Sequence, residues 1–278
     1  MSPSMGVRPA QAIALACSLA FAFVAISQIT VPGWWSQDTD AYWNAAVRLR
    51  SGLPLYPALI SPDASNVYRY APWFAAVWVP LTMLPQQAVY AVWIAVLFGA
   101  TALCLWPALR TRTVAGACIT CISAGLLLPA AASGNVQPLL LAALVYGVER
   151  PSGPLWIAAA ASLKAAPILL VAVYVGRREW LRAAAAMVLT SLLVLPFLIF
   201  DLSHYPTDVG AAAGPIPEWV SLAIAGGLTG IAVVLGRTRY EWLAASAAVL
   251  FAIPRWSYYQ ATFLLIGTAE PPTPRRPS

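Results

Sequence analysis

The sequence predicts an all-α polytopic membrane protein, and three observations predict it. Hydrophobic residues fill 60% of the 278 positions and charged residues only 9%, whereas a soluble domain carries about 25% charged and about 45–50% apolar residues. The mean hydropathy is +0.74. The apolar stretches are continuous rather than alternating, which suits spanning helices and not a lipid-facing barrel. Together these exclude a soluble globule, a disordered chain and a disulfide-rich secreted module.

A spanning helix needs roughly 20 apolar residues. Candidate spans lie at 10–31, 71–86, 88–109, 113–132, 136–149, 154–175, 180–200, 219–236 and 242–267. That is about nine, with a range of eight to ten, because 136–149 is short and 154–175 is interrupted by Pro167, so either could be re-entrant. The first run follows Arg8 and exceeds the roughly 7–15 apolar residues of a secretory leader, so it reads as a retained helix. Residues 1–270 read as one membrane domain, and 271–278 as a disordered basic tail.

Two segments between spans carry most of the polarity. The loop at 33–70 holds Asp38, Asp40, Arg48, Arg50, Asp63 and Arg69. Within it, 38–51 predicts a helix: Tyr42, Ala45, Ala46 and Leu49 fall at i, i+3, i+4 and i+7, and Gly52 and Pro54 end it. Such a helix is expected on the membrane surface, apolar face down. The second segment, 201–218, carries Asp201, the sole histidine His204, Tyr205 and Asp208.

The formal charge of +6 reads as arginines at helix ends, meeting anionic lipid headgroups. There is no basic run and no nucleic-acid motif, so no nucleic-acid partner is expected. Arg177, Arg178, Arg182, Arg237 and Arg239 are the strongest short-loop clusters. Placing them in the cytoplasm, with nine crossings, puts Arg8 there too and the 33–70 and 201–218 loops outside. Arg110, Arg112 and Arg150 then break the positive-inside rule. Cys118 and Cys121 have CxxC spacing inside an apolar helix, where small residues at a helix contact explain them.

Few residues can carry chemistry. Asp38 and Asp40 lie just past the first span; one carboxylate can serve as a general base, both could hold a divalent cation, and both could equally cap a helix. Arg69 between Tyr68 and Tyr70 suits a phosphate at headgroup depth or a plain interfacial anchor. Lys164 and Arg255 each sit beside a proline inside an apolar run, where a charge is costly and signals a site unless it snorkels to the interface. Asn135 and Gln137, after Gly134, break two apolar runs and offer paired donors and acceptors. No HExxH, GxSxG, P-loop or other Gly-rich nucleotide loop is present.

In order along the chain, Asp38-Thr-Asp-Ala-Tyr42, Gly52, Leu55-Tyr56, Tyr68-Arg-Tyr70, Pro72 and Leu84-Pro85 resemble glycosyltransferase family 87 (DUF2029), which includes polyprenyl-phosphate-mannose-dependent α-mannosyltransferases. Gly134-Asn135-Val136-Gln137 resembles its G-Q-x-N with Asn and Gln exchanged. Lys164 to Pro167 resembles its K-P segment, and Pro254 to Tyr259 its terminal motif, with Tyr where many members have His. The resemblance implies a C-type glycosyltransferase fold in a bacterial plasma membrane, with the site facing outward. It implies a polyprenyl-phosphate sugar donor, a glycolipid or glycan acceptor and inverting hexosyl transfer. Asp38, or alternatively Asp40, would be the base. Tyr42, Tyr68, Arg69, Tyr70, Asn135, Gln137, Lys164, Arg255 and Tyr259 would bind substrate. Whether a divalent cation assists is left open by the resemblance, and no other cofactor is implied. The residues alone also fit a transporter or flippase of an anionic or lipid-linked substrate, or an inactive accessory subunit.

Overall fold

The computed structural model describes residues 7–29, 37–58, 67–110, 113–206, 216–253 and 257–268. Every element among them is helical. The chain forms two compact units, one built from 1–139, 193–215 and 254–262, the other from 140–192, 216–253 and 263–278.

In the first unit α1 (Val7–Ile29) packs on α5 (Val114–Ala132), and α5 on α4 (Gln86–Arg110). The side chains of Ile13, Leu19 and Phe23 on α1 stay exposed, an apolar face that suits lipid rather than water. The loop helix is α2 (Gln37–Arg50), and it packs on α3 (Pro72–Trp78), which a 3-10 turn at Pro80–Met83 extends.

The stripe on α2 forms as its spacing predicts, but it does not face lipid. Tyr42 is fully buried, with ring centroids 5.0 Å from Phe74, 5.4 Å from Trp78 and 6.2 Å from Trp93. The apolar face is thus covered by α3 and α4. The expectation of a surface helix with that face in the bilayer is corrected accordingly.

Glycines end two helices as the sequence indicates. At the end of α2, Leu53 N–H donates to Arg48 O (2.9 Å) and Gly52 N–H to Leu49 O (3.2 Å). At the end of α5, Asn135 N–H donates to Ala130 O (2.9 Å) and Gly134 N–H to Ala131 O (3.1 Å). Both are Schellman closures, with Gly52 at φ +67 and Gly134 at φ +82.

In the second unit α6 (Gln137–Gly147), entering from the first, is followed by α7 (Gly153–Lys164), a 3-10 turn (Ala166–Leu170), α8 (Val171–Gly176) and α9 (Trp180–Val194), then α10 (Glu218–Val234) and α11 (Glu241–Ala252). Pro167 breaks the 154–175 run, as expected, and the break is a reversal. Tyr174 OH, near the end of α8, donates to Val148 O at 2.6 Å, and a Cβ on Gly153 would lie 2.2 Å from that hydroxyl. So α7 and α8 form a hairpin whose two ends meet. Lys164 sits at its tip, about 18 Å along α7 at 1.5 Å per residue. Ala165 turns the tip at φ 47, ψ −61, which costs alanine about 1–3 kcal/mol.

The 242–267 run also folds back, since a Cβ on Gly267 would lie 3.0 Å from the Leu243 side chain. Among the described residues four helices are long and apolar enough to cross a membrane: Pro9–Ser27, Gln86–Arg110, Val114–Ala132 and Trp180–Ile199. The run expected at 71–86 is only α3 and its 3-10 extension, about 18 Å against a hydrocarbon core of about 30 Å.

The charged turns of the second unit converge. Arg177 grips Glu149 with two bonds, Nη1–Oε2 at 2.8 Å and Nη2–Oε1 at 2.5 Å, and its Nε donates to Glu241 Oε1 at 2.8 Å. Trp242 Nε1 donates to Glu149 Oε1 at 2.6 Å. Arg182 Nη2 donates to Val148 O (2.8 Å) and Arg150 O (2.6 Å). Nine straight crossings place Arg150 opposite Arg177; the α7–α8 reversal, which is the re-entrant alternative for 154–175, puts both at one end and corrects the nine-crossing placement of Arg150.

Candidate active site

Asp38 lies in the first turn of α2, partly exposed. Its backbone N–H donates to Ser133 O at 3.1 Å, and Ser133 Oγ donates to its Oδ2 at 2.9 Å. The C-terminal carbonyls of α5 thus meet the N-terminal amides of α2, opposite ends of two helix dipoles. The helix terminus also favours a carboxylate at this position.

The turn that receives α2 is the Gly134–Gln137 break. Gly134 is forced twice: by its positive φ, and by Thr39, whose Oγ1 would stand 1.8 Å from an added Cβ. Asn135 Oδ1 accepts from Gln137 N–H at 2.9 Å, which caps α6. Asn135 Nδ2 donates to Tyr259 OH at 3.3 Å. Val136 N–H donates to Tyr42 OH (3.2 Å), and Tyr42 OH donates to Tyr70 OH (3.3 Å). Trp93 Nε1 donates to Gly134 O at 2.9 Å.

A single cluster therefore holds Asp38, Tyr42, Tyr70, Asn135 and Tyr259, all in the first unit. Asp38 acts electrostatically on Tyr42, Tyr70 and Tyr258. Burial first, then the neighbouring Tyr70 and the Asp38 carboxylate, push the Tyr42 phenol well above its usual value. Burial first, then Asp38 and Tyr259, do the same for Tyr70. Both remain protonated and act as hydrogen-bond groups rather than bases.

Asp40 is turned elsewhere. Tyr90 OH donates to its Oδ1 at 2.6 Å, and Gln86 Nε2 donates to Tyr90 OH at 2.9 Å. Two residues along a helix is a rotation of about 200°, so the two carboxylates diverge onto different helices. A divalent cation held between them does not fit this donor set. Among the described residues no group of three or more His, Cys, Asp or Glu could hold a metal ion.

Around the cluster, Tyr68 OH donates to Ala71 O at 2.7 Å. Arg69 Nη1 donates to Val67 O at 3.3 Å, and Tyr205 OH donates to Arg69 O at 3.1 Å. Gln137 is fully buried. Lys164 belongs to the second unit, and Arg255 lies outside the described residues. Sequence reasoning missed Tyr90 and Trp93, one turn apart on α4. Their signal was available: an aromatic with a polar tip in an apolar helix must find a partner.

The family model for glycosyltransferase family 87 matches residues 68–268. The match covers Tyr68, Arg69, Tyr70, Asn135, Gln137, Lys164, Arg255 and Tyr259 and begins after Asp38. No curated protein and no solved structure matches the chain.

Proposed function

The chain belongs to glycosyltransferase family 87, and from that premise we propose that it moves a hexose, mannose first among them, from a polyprenyl-phosphate donor to a glycolipid or glycan hydroxyl. The observation that carries this is Asp38, a partly exposed carboxylate fixed by Ser133 within a cluster of tyrosines. Asp38 takes the proton of the acceptor hydroxyl as that oxygen attacks the anomeric carbon. The bond from that carbon to the phosphate oxygen breaks, and its electron pair leaves with the lipid phosphate. One displacement inverts the anomeric centre and needs a single base, which suits a cluster with one carboxylate.

Charge grows on the departing phosphate, and a fixed cation stabilises it most in a dry site. Arg69, Lys164 and Arg255 are the candidates. Lys164 stands at the tip of the α7–α8 hairpin, about 18 Å from its ends. Tyr42, Tyr70, Asn135, Gln137 and Tyr259 orient the substrates. The four long apolar helices among the described residues support a multi-pass membrane protein; to this the proposal adds a C-type glycosyltransferase fold and a bacterial plasma membrane with Asp38 outside.

The test is transfer by the purified full chain in liposomes, from a panel of labelled polyprenyl-phosphate hexoses to a mixed glycolipid extract. The expected result is transfer from the mannosyl donor with inverted anomeric configuration. Retention of configuration, or no transfer by folded protein from any donor, would overturn the reading.

A further inference from the structure

The face of α2 that begins at Asp38 continues into a cleft of about 330 Å³. Ala41, Ala45 and Arg48 follow Asp38 at i+3, i+7 and i+10, one stripe on the helix, and all three line the cleft with Asn44. Tyr56 and Tyr68 line it too, with rings stacked at 6.1 Å and 24°. Their hydroxyls are turned inward, to Tyr70 O (2.9 Å) and Ala71 O (2.7 Å), so the rings give an apolar floor. The volume falls in the range of small-molecule sites, about 300–1,000 Å³.

Two groups make the cleft polar. The Asn44 side chain is exposed. Arg48 donates Nε to Pro54 O at 2.7 Å, which fixes the guanidinium at its base. No carboxylate among the described residues pairs with Arg48. A held guanidinium on an apolar floor selects an oxyanion. Ten residues of helix separate Arg48 from Asp38, about 15 Å along the axis, a distance that the reach of the two side chains shortens to the scale of a short saccharide.

We propose that this cleft is the acceptor subsite, and that it takes a saccharide headgroup bearing an oxyanion, phosphate or carboxylate. The oxyanion sits on Arg48, the sugar lies along Ala41 and Ala45 over the tyrosine floor, and the reacting hydroxyl reaches Asp38. The proposal rests on the reading of Asp38 as the base and adds the class of acceptor.

The test is equilibrium binding to the full chain in detergent, with three soluble probes: a methyl hexoside, its 6-phosphate and the matching uronic acid. Both anions are expected to bind wild type on the order of tenfold tighter than the neutral sugar, the scale of one charge-assisted hydrogen bond. Arg48→Gln removes that preference and Arg48→Lys keeps part of it. Asn44→Trp, at an exposed position, obstructs the cleft and weakens all three. Equal binding of the three probes by wild type, or a preference that survives Arg48→Gln, overturns the proposal. In the transfer assay Arg48→Gln raises the acceptor KM; a rise in the donor KM alone assigns the cleft to the donor and also overturns it. Anion preference without any sugar transfer would sink the Asp38 reading and leave the binding site standing. Transfer without anion preference would sink the subsite alone.

Discussion

Gly134→Ala tests how the site is held together. Two costs arise at once. Alanine at φ +82 is strained by about 1–2 kcal/mol. Its Cβ would stand 1.8 Å from Thr39 Oγ1 and 3.1 Å from Thr39 N. Thr39 is fully buried, so the α2 N-terminus must move or the side chain must overpack, about 1–3 kcal/mol more. The sum is roughly 2–5 kcal/mol. Asp38 is the neighbouring residue and shares the Ser133 contacts, so it shifts too; a misplacement of about 1 Å costs on the order of a hundredfold in rate. Gly52→Ala is the control. Gly52 has a similar φ of +67 but nothing within 4 Å of an added Cβ, so it carries only the strain, about 1–2 kcal/mol. Transfer rate per folded molecule and thermal midpoint are measured for both variants. Gly134→Ala should lose activity far out of proportion to Gly52→Ala. Equal losses would refute the claim that the α2–α5 junction sets the base.

Two further outcomes follow from the second unit. Ser152, Arg178 and Arg239, replaced singly by cysteine in a cysteine-free background, should label from one side of the membrane; labelling of Ser152→Cys from the opposite side would contradict the α7–α8 reversal. Burial opposes the charge of Glu149, but the bonds from Arg177 and Trp242 outweigh it and hold its pKa below the usual value. A depressed carboxyl pKa contributes stability above its unfolded value, near 4.3, and that contribution is lost as pH falls through the folded value. Wild type should therefore lose thermal stability steeply below about pH 4.3, and Glu149→Gln should start lower with a flatter acid limb. Parallel acid limbs would remove the buried bridge from the account.

Much of the fold was readable from local signals. The α2 stripe, the stops at Gly52 and Gly134 and the break at Pro167 each follow from the spacing or stereochemistry of a few residues. What those signals lacked was the partner. A stripe says that a face is buried, not whether lipid or protein covers it, so α2 was expected on the bilayer and instead packs on α3. Pro167 marked a break and left a re-entrant turn as one alternative; the reversal moved Arg150 to the end that the nine-crossing reading did not give it. The basic turns were read as a topology signal; Glu149 and Glu241, 28 and 64 residues from Arg177, make them also a structural clamp. The candidate site was half legible. Asp38, Tyr70 and Asn135 were each singled out, but nothing local separates Asp38 from Asp40. That distinction comes from contacts with Ser133, 95 residues away, and Tyr90, 50 away.

The central claim is that Asp38, and not Asp40, is the base. It is tested most directly by sugar transfer with Asp38→Asn and Asp40→Asn, compared at matched folded protein and saturating donor. The account predicts that Asp38→Asn abolishes turnover, while Asp40→Asn, which keeps an acceptor oxygen for Tyr90, retains most of it. Turnover that survives in Asp38→Asn and collapses in Asp40→Asn would contradict the account.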